Sequence, residues 1–69
     1  MNMNFDHEEL TLMMIYNTGT RLGLIHELRL MQCYLMPDET ALRELSEGVI
    51  EKLKLLTDAE FVELEFPPN

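Results

Sequence analysis

At 69 residues, with thirteen Asp and Glu against five Lys and Arg for a net charge of -8, the chain has room for one domain, which would bury only about 60% of the surface its extended form exposes. Cys33 is the only cysteine, which excludes a disulfide within the chain. Together with His7 and His26 it lacks the CxxC or HxxxH spacing of a structural zinc site. The charge balance argues against binding phosphate backbones or anionic membrane, because both depend heavily on Lys and Arg.

The first predicted helix opens with a capping box: Asp6 is the cap and Glu9 the third helical residue, while Phe5 and Leu10 sit at the two positions of a hydrophobic staple. Leu10, Met13, Met14 and Asn17 follow at three-and-four spacing, and Leu12, Ile15 and Tyr16 widen the apolar surface to most of the circumference. Such a helix is expected to lie against two neighbours and to run over residues 7 to 18, with Gly19 as a left-handed terminator. The turn Tyr16-Asn17-Thr18-Gly19-Thr20-Arg21 gathers polar groups between two apolar helices. Capping and bracing outweigh a small binding notch as its role, with Arg21 free to cross to a carboxylate of the third or fourth helix.

Thr20 caps the second predicted helix, residues 21 to 36, whose stripe is Leu24, Ile25, Leu28, Met31 and Leu35. Leu22, Leu30, Cys33 and Tyr34 fall outside that seam, which suggests cover on more than one side. Pro37 closes the helix. Asp38 is then a candidate cap for a third helix over 38 to 56, with the most regular stripe in the chain: Leu42, Leu45, Val49, Leu53 and Leu56. Glu39 and Arg43 are spaced for a surface ion pair. Gly48 inside this helix costs about 1 kcal/mol relative to alanine, so either another helix passes close there or the loss is tolerated. Thr57 and Glu60 repeat the capping box, and Leu56 and Phe61 the staple, at the start of a short fourth helix over 58 to 64. Phe66 is expected to tuck onto the core, ahead of Pro67 and Pro68.

The expectation is an all-α fold, a compact small bundle of three main helices plus a short C-terminal fourth, forming one domain over residues 1 to 69 with 1 to 4 and 67 to 69 frayed. Leu28, Leu42, Leu45, Val49, Leu53 and Phe61 are its expected core. With disulfides and zinc excluded, packing alone, or packing with self-association, must stabilise it. Neither a signal peptide nor a run of 18 apolar residues is present, so the expected compartment is the cytoplasm and no membrane contact is expected.

Catalytic patterns are absent. His26 and Cys33 lie seven residues apart, about 10 Å along a helix, too far for direct thiol activation, and a buried cysteine acting as a small hydrophobe is the better reading. The densest acidic run, Asp58, Glu60, Glu63 and Glu65, does not match a calcium loop and offers no burial to raise a carboxyl pKa. A solvated acidic face is its plain reading, and a surface for a partner with a basic patch its functional one. Residues 57 to 69 hold -4 of the net -8. The candidate partner-binding residues are therefore Asp58, Glu60, Glu63 and Glu65, with Arg21 and Asn17 from the polar turn. No enzyme, cofactor or metal is expected.

Phe5 with Glu8-Glu9, Ile15-Tyr16-Asn17-Thr18-Gly19-Thr20-Arg21, Ile25-His26-Glu27-Leu28-Arg29, Tyr34-Leu35 with Pro37-Asp38-Glu39, Lys52-Leu53, and Leu56-Thr57-Asp58-Ala59-Glu60-Phe61 with Leu64 span nearly the whole chain. This pattern resembles the transposon-transfer assisting proteins, small proteins encoded on conjugative elements of Gram-positive gut bacteria. The resemblance implies a mobile-element setting and an accessory protein that binds another protein of the element, and it carries no catalytic residues with it. The alternative is a nucleic-acid-associated regulator. Pro37 could stand at the turn of a helix-turn-helix, but the helix beyond it holds Asp38, Glu39, Glu44, Glu47 and Glu51 against Arg43, Lys52 and Lys54, the wrong sign for phosphates.

Overall fold

The computed structural model describes residues 4–64 and 66. Four helices follow in chain order: α1, His7–Tyr16; α2, Arg21–Cys33; α3, Thr40–Leu55; and α4, Asp58–Val62. The architecture is an all-α bundle of three main helices with a short fourth. Each of the three main helices packs against the other two.

Both expected capping boxes form. Asp6 Oδ1 accepts from Glu9 N at 2.9 Å while Glu9 Oε1 accepts from Asp6 N at 3.0 Å. Thr57 Oγ1 accepts from Glu60 N at 3.1 Å, and Glu60 Oε1 returns the contact to Thr57 N at 2.9 Å. Thr20 caps α2 by accepting from Gly23 N at 3.0 Å. These side chains satisfy amides that a helix start leaves without intrahelical partners.

The third helix starts differently from expectation. Asp38 is not its cap: Glu39 occupies that position without a side-chain bond to the helix, and its Oε1 instead reaches back to accept from Met36 N at 3.0 Å. That contact holds the Pro37 turn closed and takes Glu39 away from Arg43, with which it forms no ion pair. Helix ends are also earlier than predicted. Asn17 leaves α1 in an extended conformation, its Oδ1 accepting from Gly19 N at 2.9 Å, and the positive φ of +102° falls at Gly19 within the connection. A side-chain acceptor two residues upstream competes with continued helix. At the end of α2, Tyr34 N and Leu35 N donate to Met31 O and Gln32 O, a tighter turn that closes the helix before Pro37.

The core is Leu12 and Met13 from α1, Leu24 and Leu28 from α2, Val49, Ile50 and Leu53 from α3, then Leu56 and Phe61. Each such side chain, fully buried, contributes about 1.5–3 kcal/mol. Leu28, Val49, Leu53 and Phe61 are buried as expected, whereas Leu42 and Leu45 are half-buried and pack on the core from its edge. The rotation of α3 places Ser46 and Ile50 inward in their stead. Ser46 Oγ accepts from Gln32 Nε2 at 2.9 Å and donates to Arg43 O at 3.0 Å, so its burial leaves no polar atom unmatched. Phe66 packs against the same core.

An ion pair joins α1 to α3: Lys52 Nζ lies 2.7 Å from the buried Glu9 Oε1, donates to Asn4 O at 2.9 Å, and stands 5.4 Å from the centre of the Phe5 ring. Gly48 lies under this junction, where an added Cβ would meet only Glu9 Oε2, at 3.7 Å. Two further expectations are corrected. Cys33 is exposed, and α2 is covered on one side only, since Leu22, Leu30 and Tyr34 face solvent. Both follow from a bundle in which α2 meets α1 and α3 along a single seam.

Candidate partner-binding surface

The α4 end of the bundle is organised around Arg21. Its Nε donates to Asp58 Oδ1 at 2.8 Å, and its Nη1 donates to Leu53 O at 3.0 Å. The Thr20 cap places Arg21 at the first position of α2, the Thr57 box places Asp58 at the first position of α4, and Leu53 O belongs to the last turn of α3. One guanidinium thus ties together three helix ends. Leu53 O also accepts from the C-cap amide of Leu56 at 3.3 Å, and because carbonyls of a final turn carry partial negative charge, a cation is favoured there. The Arg21 side chain is 17% exposed and that of Asp58 78%, so the pair is open to water on the carboxylate side.

The six residues singled out from the sequence separate into different roles. Arg21 and Asp58 are brought together directly. Glu60 is occupied within its own capping box, and the Thr57 backbone amide, with the Thr57 hydroxyl, holds its carboxyl below the usual glutamate range. Asn17 spends its side-chain oxygen on Gly19 N in the turn leading to α2. Glu63 is exposed just past α4, and no cation among the described residues pairs with it. Glu65 lies outside the described residues.

Sequence reasoning passed over the apolar half of this surface. A groove of about 410 Å³ runs past Arg21 and Asp58 over Phe61, with Leu22 and Val62 as its walls. Leu22 is 64% exposed and Val62 73%. The available signal was the position of Leu22 off the α2 stripe. Among the described residues no group of three or more His, Cys, Asp or Glu side chains could hold a metal ion, and none of their helices is long and apolar enough to cross a membrane. What the arrangement offers is an open, mostly apolar groove with a single carboxylate, Asp58, and its Arg21 partner at the edge.

A family model described as "Putative transposon-transfer assisting protein" matches residues 5–68. No curated protein and no solved structure matches the chain.

Proposed function

The chain belongs to the transposon-transfer assisting protein family, and on that premise we propose that it is a small acidic accessory protein that binds another protein of a mobile genetic element through the α4 end of the bundle. The observation that carries this reading is the groove between Leu22 and Val62, two large apolar side chains left open to water beside the Asp58 carboxylate and one residue from Glu63. Its partner presents an apolar side chain to the groove and Lys or Arg to the carboxylates. Rim charges of this kind act mainly on encounter rate, while the desolvated apolar contact supplies most of the lifetime of the complex.

Asp58 and Glu60 are poor choices for testing the charge, because both hold the fold together. Glu63 is the informative carboxylate. The experiment is affinity capture from cells carrying the native element, followed by association kinetics with the purified partner at low and high salt. A basic protein of the element is expected with the wild type, lost with the Leu22→Ser/Val62→Ser variant, and bound more slowly and with less salt dependence by Glu63→Gln. Capture indifferent to the apolar variant would overturn the reading, as would recovery of double-stranded DNA as the bound species.

A further inference from the structure

The other end of α2 carries a second unpartnered surface. Tyr16 at the end of α1, Leu30, Tyr34 and Leu35 at the end of α2, and Leu42 on α3 line a groove of about 540 Å³. Tyr34 is 83% exposed and Leu30 43%. Nothing in the turn chemistry requires a tyrosine and a leucine there, since the turn is closed by backbone bonds from Tyr34 and Leu35 and by the Glu39 contact to Met36 N. The charged residues lining the groove are both acidic, Glu27 and Glu39, and no Lys or Arg lines it. One Glu39 oxygen holds Met36 N, and the other is not engaged by any cation among the described residues.

We propose that this groove is a second docking surface, whose occupant is an amphipathic helix of another protein with its apolar face flanked by Lys or Arg. Charge complementarity selects that occupant. A second copy of this chain would bring the same two carboxylates and another net -8 to the contact, and like charges set against each other in an interface oppose association. A basic amphipathic helix meets both requirements: its apolar side chains at three-and-four spacing fill a groove walled by Tyr and Leu, and its flanking cations reach Glu27 and Glu39. The surface is separate from the α4 groove. Arg21 and Tyr34 are at opposite ends of α2, about 20 Å apart along the helix axis, so one protein can engage two partners at once.

The test uses the full chain, isotopically labelled for NMR, and two synthetic helical peptides: one with Leu on one face and Lys on the other, and a counterpart with Glu in place of Lys. Saturable shifts at the amides of Tyr16, Leu30, Tyr34 and Leu42 are expected with the Lys peptide and none with the Glu peptide. Tyr34→Ala/Leu30→Ser, both exposed positions, is expected to weaken binding by about tenfold or more. Glu27→Gln/Glu39→Gln should lower affinity and flatten its salt dependence. Leu22→Ser/Val62→Ser should leave this binding unchanged, which separates the proposal from the α4 reading. Absence of saturable shifts, shifts centred on the α4 groove, or equal binding of the Glu peptide would overturn it. Sedimentation revealing a dimer that Tyr34→Ala dissociates would overturn it in favour of a second copy.

Discussion

Glu60 serves its helix with one carboxylate oxygen, which accepts from the Thr57 amide and hydroxyl, and those bonds lower its pKa from the ordinary 4.5. A lowered folded-state pKa means that the unfolded chain binds the proton more readily, so the stabilisation is fully present above about pH 4.5 and is lost as pH falls through the folded value. The wild type should therefore be more stable than Glu60→Gln at about pH 7, and the difference should be smaller in acid, at a pH below 4.5. Thermal unfolding of the pair at both pH values checks the sign. Gly48 offers a contrasting case. Only Glu9 Oε2 would come near its Cβ, at an ordinary 3.7 Å, so Gly48→Ala should raise stability by about 0.5–1 kcal/mol, the helix-propensity difference. A loss in urea titration would mean that the Glu9 junction needs the open space.

At the scale of elements, α1 is tied to α3 by the Lys52 to Glu9 contact as well as by apolar packing. Glu9 has a side chain only 8% exposed and Lys52 one 32% exposed, so removing the cation leaves a carboxylate with little water to replace it. Lys52→Met should cost about 1–3 kcal/mol, below the full price of a wholly buried pair because the lysine is partly solvated. Adding Glu9→Gln to that variant should recover part of the loss, and urea unfolding of the single and double variants measures it. The rotation of α3 makes a second ranking. Leu53 is fully buried whereas Leu45 is half-buried, so Leu53→Ala should cost about 3 kcal/mol or more and Leu45→Ala about half that. Against a total of about 3–10 kcal/mol for a chain of this length, the first change endangers folding. Equal midpoints for the two variants would mean the core is centred nearer the start of α3.

Across the whole molecule the dominant property is a charge of -8 on a body about 35 × 22 × 21 Å. Its cations do not form a free patch: four of the five Lys and Arg, namely Arg21, Arg29, Lys52 and Lys54, each stand within 3.2 Å of a carboxylate, and only Arg43 has no ion pair among the described residues. Phosphate binding would require releasing these pairs and then overcoming the surrounding negative field. No association with double-stranded DNA is therefore expected at physiological salt, which an electrophoretic mobility assay or fluorescence anisotropy would check. Salt-sensitive binding in that assay would return the regulator reading to the front.

What could be read along the chain was local chemistry. Asp6 with Glu9, Thr57 with Glu60, and Thr20 act on amides no more than three residues away, so their spacing alone announces them, and the apolar stripes between them announce a helical bundle. Asp38 misled because Glu39 had a competing donor at Met36, a choice made by the folded turn. Tertiary structure decided which carboxylates are already occupied and which apolar residues stay uncovered. Arg21 finds Asp58 37 positions away, and Lys52 finds Glu9 43 positions away. Such partners depend on how helices are rotated and crossed, which periodicity leaves undetermined, and a small rotation of α3 separates the buried Ile50 and Ser46 from the half-buried Leu42 and Leu45. Both grooves follow from the same cause, because Leu22 and Tyr34 become surface features only once α2 has chosen the single face it packs.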